Sequence, residues 1–168
     1  MENNLFVELD YNGVLDFFAS LKTGLIYIGG SWCKTCENVM DKLTCIAKNM
    51  GLNEIYHYDP RFVNVYGEVE DLRDCKSLEI KMDYYKLVEK LGFTSNELVK
   101  NTLIPRIHLP FFAAVKFGRC VKYYSKELFK EEDGKLHTID CDDDCSDEFC
   151  DNIKELIEIV KIDDTLLL

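Results

Sequence analysis

The chain has 168 residues, of which 47% are hydrophobic and 30% charged, with a formal net charge of −11. That is the balance of a protein with a buried core rather than a disordered one. The absence of any basic block excludes a duplex or single-strand nucleic-acid binder, and the acidic sign argues against docking on anionic membranes.

The charge is unevenly placed. Residues 1–130 carry 17 basic and 17 acidic side chains, whereas residues 131–168 carry 3 and 14. No apolar stretch approaches the roughly 20 residues that a membrane helix needs. The polar, acidic start Met1-Glu2-Asn3-Asn4 lacks the basic-then-apolar pattern of a signal peptide, so a cytoplasmic location is expected.

In chain order, Leu5 to Leu9 reads as a short edge strand. Asn12 is placed to cap a helix whose apolar positions are Val14, Leu15, Phe17, Phe18 and Leu21, ended by Thr23-Gly24. Leu25 to Ile28 is a continuous β-forming run, short enough for a buried central strand. After the turn Gly29-Gly30-Ser31, a 3.6-residue period from Cys33 to Met50 predicts a long helix that stops at Gly51. Glu54 to Tyr58 predicts a further strand, closed by Asp59-Pro60. Residues from about 60 to 82 have no clear period and are expected to be an insertion or long loop. Tyr84, Tyr85, Leu87, Val88 and Leu91 predict a helix stopped by Gly92, and Ser95 is placed to cap a short turn through Leu103. Pro110 to Phe117 and Cys120 to Tyr124, separated by Gly118-Arg119, form a hairpin signal. An acidic loop at about 131–150 then leads to a last amphipathic helix through Ile153, Leu156, Ile157 and Val160. The order β-α-β-α-β-(insertion, α)-β-β-α predicts one α/β domain over residues 1–168.

Eight cysteines (33, 36, 45, 75, 120, 141, 145 and 150) need their spacing to be interpreted. In a reducing compartment they read as thiols, metal ligands or a redox site. The informative run is Ser31-Trp32-Cys33-Lys34-Thr35-Cys36, where a buried strand turns into a helix. Cysteines at i and i+3 on a first helical turn come within disulfide range, a Cα separation of roughly 5–6 Å. The first sits at the helix N-terminus, where the dipole favours its thiolate, and Lys34 adds a positive charge beside it. The second is placed to attack a mixed disulfide formed by the first.

Together with Ile107-His108-Leu109-Pro110, the strand Phe111 to Phe117 and Gly118, this Trp-Cys-x-x-Cys run resembles the thioredoxin-like superfamily, in the form of a bacterial member carrying an insertion. The resemblance covers most of residues 5–130 and the last helix. It implies an α/β thioredoxin-like fold, a central mixed β-sheet flanked by helices, with the insertion after the third strand. It implies that Cys33 and Cys36 are catalytic. Trp32, Lys34, Thr35, Leu109 and Pro110 would support the site, with Pro110 as the family's cis-proline and the backbone beside it pairing with an extended substrate. Two departures stand out: Lys34-Thr35 replaces the usual dipeptide, and Tyr27 occupies the position of the family's buried aspartate. A phenol, with an ordinary pKa of about 10, is a poor base near neutrality.

The implied function is a thiol–disulfide oxidoreductase acting on protein thiols and disulfides, re-reduced by a reductase or a small thiol, with no bound cofactor. The alternative is a redox-inactive or weakly active accessory module on the same fold. A third reading is a metal carrier that uses the C-terminal thiols.

Cys45, about 13 Å along the helix from Cys36, reads with Cys75 and Cys120 as a packed thiol. His137, Cys141, Cys145 and Cys150 are a weak zinc candidate, because structural zinc sites show tighter pairs. Asp140, Asp142 and Asp144 mimic the start of a calcium loop, but Cys145 and Asp151 stand where glycine and glutamate are needed, which rejects an EF-hand. His57 and His108 flank strands with no evident carboxylate partner and read as structural.

Overall fold

The computed structural model describes residues 4–125 and 147–162. In chain order its elements are β1 (Phe6–Leu9), α1 (Tyr11–Ala19), β2 (Gly24–Ile28), α2 (Lys34–Asn49), β3 (Ile55–Tyr58), β4 (Arg61–Val63), β5 (Val69–Asp71), a 3₁₀ turn (Leu72–Asp74), α3 (Leu78–Leu91), β6 (Phe111–Lys116), β7 (Arg119–Ser125) and α4 (Glu148–Lys161).

β2 is the centre of the sheet, and all five of its residues are buried. Its unbroken apolar run suits a strand covered on both faces. Leu25, Ile26 and Ile28 have no exposed surface, and each contributes roughly 1.5–3 kcal/mol by burial. The five-stranded sheet has the order β1-β3-β2-β6-β7. β3 runs parallel to β1 and β2, while β6 is antiparallel to β2 and β7. Helices pack on this mixed sheet, so the architecture is the α/β thioredoxin-like one expected. Among the described residues no helix is long and apolar enough to cross a membrane.

Several local expectations are corrected. Asp10, not Asn12, caps α1: its carboxylate accepts from the Gly13 amide at 2.7 Å. That helix ends at Ala19, and Leu21 lies beyond it with φ +57. Residues 60–82 are not one loop. They hold the two-stranded β4–β5 hairpin, the 3₁₀ turn and the first turn of α3, capped by Ser77. The short turn expected at Ser95 is present: its hydroxyl accepts from the Glu97 amide, and the stretch after it makes one bridge, Leu98 to Pro105.

α4 starts at Asp147, whose carboxylate accepts from the Cys150 amide at 2.8 Å and also meets the buried ammonium of Lys42 on α2. The expectation that Cys45 is a packed thiol is wrong, because Cys45 and Cys150 are each disulfide-bonded. The packing of α2 against α4 places both residues in buried positions, where a thiol and a cross-link read alike in a periodicity. Cys75 and Cys120 are half-buried thiols, and burial pushes the Cys120 thiol up to about 11. Most of the acidic loop, including His137, Asp140, Cys141, Asp142, Asp144 and Cys145, lies outside the described residues.

Candidate redox site

β2 delivers the chain to the site. Its last residue, Ile28, pairs with Phe111, the residue after Pro110, so the turn into α2 and the start of β6 share one end of the sheet. Gly29 and Gly30 make this turn because nothing larger fits. A methyl group on Gly29 would lie 2.6 Å from the Tyr27 hydroxyl and 2.7 Å from Cys36 Sγ, and one on Gly30 would lie 2.2 Å from Trp32 Nε1.

Cys33 is the N-cap of α2. Its amide donates to the Gly30 carbonyl at 3.0 Å, and its Sγ accepts from the Cys36 amide at 3.3 Å. The sulfur therefore takes the place that a serine or aspartate oxygen usually holds at a helix start, where the orphan amides and the dipole favour negative charge. Cys36 is one turn on and fully buried, whereas Cys33 is half-exposed. Both are thiols, not joined by a disulfide. The hydrogen bond with Cys33 and then burial push the Cys36 thiol far above its ordinary range, while a hydrogen bond with Tyr27 pulls the other way.

Tyr27 is buried against the pair, and burial with the nearby sulfurs pushes its own phenol strongly up. It therefore stays neutral and donates a hydrogen bond rather than accepting a proton. Its ring stacks between Phe112, at 5.5 Å, and His57, at 4.8 Å. The expectation that the two histidines lack carboxylate partners is corrected here. His57 Nδ1 lies 2.7 Å from Glu8 Oε2, and its Nε2 lies 2.7 Å from the Gly29 carbonyl. His108 Nε2 sits 2.9 Å from Glu97 Oε2, an ion-pair contact without hydrogen-bond alignment. Both pairs join residues distant in the chain, which no local spacing displays.

Trp32 is held from the far side. Its indole N–H donates to both Asp59 oxygens, at 3.1 and 3.0 Å, and the Arg61 guanidinium stacks 4.6 Å from the ring centre. Arg73 lies 5.8 Å from the same ring, is ion-paired to Asp71 at 2.8 Å, and donates to the Ile107 carbonyl at 3.1 Å. The buried Tyr84 hydroxyl accepts from the Ile107 amide at 2.8 Å and donates to the Pro105 carbonyl at 2.6 Å. The β4–β5 hairpin and α3 thus brace the loop before Leu109–Pro110, whose peptide bond is cis. Leu109 and Pro110 are buried, and among the described residues the Leu109 backbone N–H and C=O make no hydrogen bond.

Of the expected site residues, Trp32, Cys33, Lys34, Thr35 and Cys36 come together at the start of α2, with Leu109 and Pro110 at the same end of the sheet. Cys150, bonded and buried in α4, offers no thiolate to a metal, which removes it from the candidate zinc set. The described residues contain no group of three or more potential metal ligands. Arg61 and Arg73 lie in the stretch whose pattern is least regular, and Asp59 reads only as the close of the preceding strand, so none of the three is legible as a site residue in the sequence.

No protein-family model matches the chain, and no curated protein matches it by sequence. Among solved structures it is similar to thioredoxin O2 from Arabidopsis thaliana in its oxidized state. The match has 14% identity and a TM-score of 0.38, covering 74% of this chain and 84% of that one.

Proposed function

We propose that the protein is a thiol–disulfide oxidoreductase acting on protein substrates. The observation that carries this reading is Cys33 at the N-cap of α2, its sulfur accepting the Cys36 amide, with a second, buried thiol one turn away. The Cys33 thiolate attacks one sulfur of a substrate disulfide. A mixed disulfide forms, the substrate S–S bond breaks, and its other sulfur leaves as a thiolate that takes up a proton. Cys36, giving up its proton, then attacks Cys33 Sγ and releases the second substrate thiol. Two electrons pass to the substrate, and an external thiol donor (a reductase or a small thiol) reduces the Cys33–Cys36 bond again.

Supporting roles follow from position. Trp32 shields the pair, and Lys34 and Thr35 set the geometry of the first turn. The Leu109 backbone, without a hydrogen bond among the described residues and beside Pro110, suits pairing with an extended substrate segment. We read residues 1–168 as one thioredoxin-like domain, elaborated after β3 and by the acidic segment. Bonded Cys45 and Cys150 weigh against a cytoplasmic location. Their burial shields them from small thiols, which keeps that location our reading.

Turbidimetric insulin reduction in dithiothreitol tests the activity. Precipitation faster than the dithiothreitol background supports it; a rate equal to background ends it in favour of a binding or accessory module. The neutral Tyr27 is the observation favouring that second reading, since a phenol held in its neutral form does not take the Cys36 proton. Tyr27→Phe keeps the packed ring but removes the hydroxyl, so resolution of the mixed disulfide is expected to slow about tenfold, one hydrogen bond to a forming thiolate. Acid-quench mass spectrometry measures the lifetime of the intermediate, and an unchanged lifetime would discard this role for Tyr27.

A further inference from the structure

The β4–β5 hairpin, the start of α1 and the first turns of α3 enclose a groove of about 1250 Å³. That exceeds the range of roughly 300–1,000 Å³ common for small-molecule sites and has room for several residues of extended chain. One end is formed by Asp59 and Arg61, the residues that hold the Trp32 indole. Trp32 itself does not line the groove, but through these two residues the groove abuts the indole that precedes the cysteine pair. Its floor includes Tyr11 and Tyr58, and its outer wall is the hairpin, where Val63, Val65 and Tyr66 are 67%, 94% and 84% exposed.

The charge along this groove has a clear sign. Six carboxylates line it against two cations, Arg61 and Lys76. Some of the six are committed: Asp59 to Trp32, Glu8 to His57 and Asp10 to the α1 cap. Glu70 on β5 and Glu79 on α3, on facing walls, make no ion pair among the described residues. Exposed apolar side chains between uncommitted carboxylates match one kind of occupant, an extended peptide that alternates apolar with basic side chains.

We propose that this groove docks the segment of a protein substrate next to its reactive disulfide, and that it selects segments carrying lysine or arginine together with apolar residues. The proposal rests on the oxidoreductase reading for its biological meaning, but the groove is tested without it. The probe is a fluorescein-labelled ten-residue peptide of alternating lysine and leucine with no cysteine, compared with a glutamate–leucine counterpart by fluorescence anisotropy. The wild-type protein is expected to bind the basic peptide at least about tenfold more tightly than the acidic one. Glu70→Lys with Glu79→Lys is expected to lose about tenfold for the basic peptide. Glu89→Lys with Glu158→Lys, which changes the net charge equally on exposed helix positions, is expected to lose less than about threefold. Tyr66→Ala, at an exposed hairpin position that leaves the fold intact, weakens binding without changing charge. Equal affinity for the two peptides, or equal losses in the groove and control variants, overturns the proposal. A second arm measures kcat/KM for disulfide-bonded peptides with lysine or glutamate flanks. If the protein reduces neither, the oxidoreductase reading fails while the anisotropy result still decides the groove.

Discussion

Insulin reduction is expected to fall to the dithiothreitol background, a loss of about 100-fold or more, when Cys33 is replaced by serine. The argument is one of access and charge. Cys33 is the half-exposed member of the pair, and only its sulfur caps α2, where the Cys36 amide and the helix dipole stabilise a thiolate. A serine hydroxyl there keeps the capping hydrogen bond, so the fold survives, but it is not an anion at neutral pH and cannot exchange with a disulfide. Cys36 cannot substitute for it, being fully buried and held protonated by its contact with Cys33 and by burial. Cys36→Ser has the complementary outcome: the first exchange still occurs, and a stable mixed disulfide accumulates that non-reducing electrophoresis detects. Activity retained in Cys33→Ser would move the chemistry to another thiol and undo the assignment.

The largest stability effect is expected at the β6–β7 turn. Phe117 and Gly118 have φ +50 and +74, the pair of positive angles that a two-residue hairpin with the native twist requires. The turn is docked on the end of α1: the Gly118 amide donates to the Lys22 carbonyl and the Phe117 amide to Thr23 Oγ1, each at 3.0 Å. A methyl group on Gly118 would lie 2.2 Å from the Phe18 carbonyl oxygen, a backbone atom with nowhere to go. Gly118→Ala therefore combines about 1–2 kcal/mol of left-handed backbone cost with about 2–3 kcal/mol of strain, or roughly 3–5 kcal/mol in all. Thermal unfolding followed by circular dichroism should fall by roughly 6–20 °C. Gly67→Ala isolates the first contribution. Its φ is +79 with nothing within 4 Å of the added methyl, so about 1–2 kcal/mol is expected. Equal effects at the two positions would mean that the contact with α1 carries nothing.

These two expectations mark what the primary structure discloses and what it hides. The order of elements, the central strand at Leu25 to Ile28 and the cysteine pair at a helix start are local signals, a buried run or a spacing, and they hold in the fold. The β4–β5 hairpin escaped because Arg61–Val63 and Val69–Asp71 are three residues each, too short for an alternation to register. The bonds at Cys45 and Cys150 escaped because burial at a helix interface looks the same for a thiol and a cross-link. The surroundings of the site escaped for a different reason. Asp59 under Trp32, Glu8 against His57 and Arg73 on Ile107 join residues 27, 49 and 34 positions apart, and such pairings exist only once the sheet has formed.

Trp32 is the chain's one tryptophan, and its indole is fixed by a carboxylate at its N–H edge and a guanidinium over its face, with the cysteine pair beginning at the next residue. The tryptophan-selective emission of the unlabelled protein therefore comes from a single spot beside the first of the two thiols and the hairpin. Oxidation of the pair or undocking of the hairpin changes that one signal. An unfolding curve followed by emission thus reports this corner, and it coincides with a backbone-based curve only if the corner and the sheet melt together.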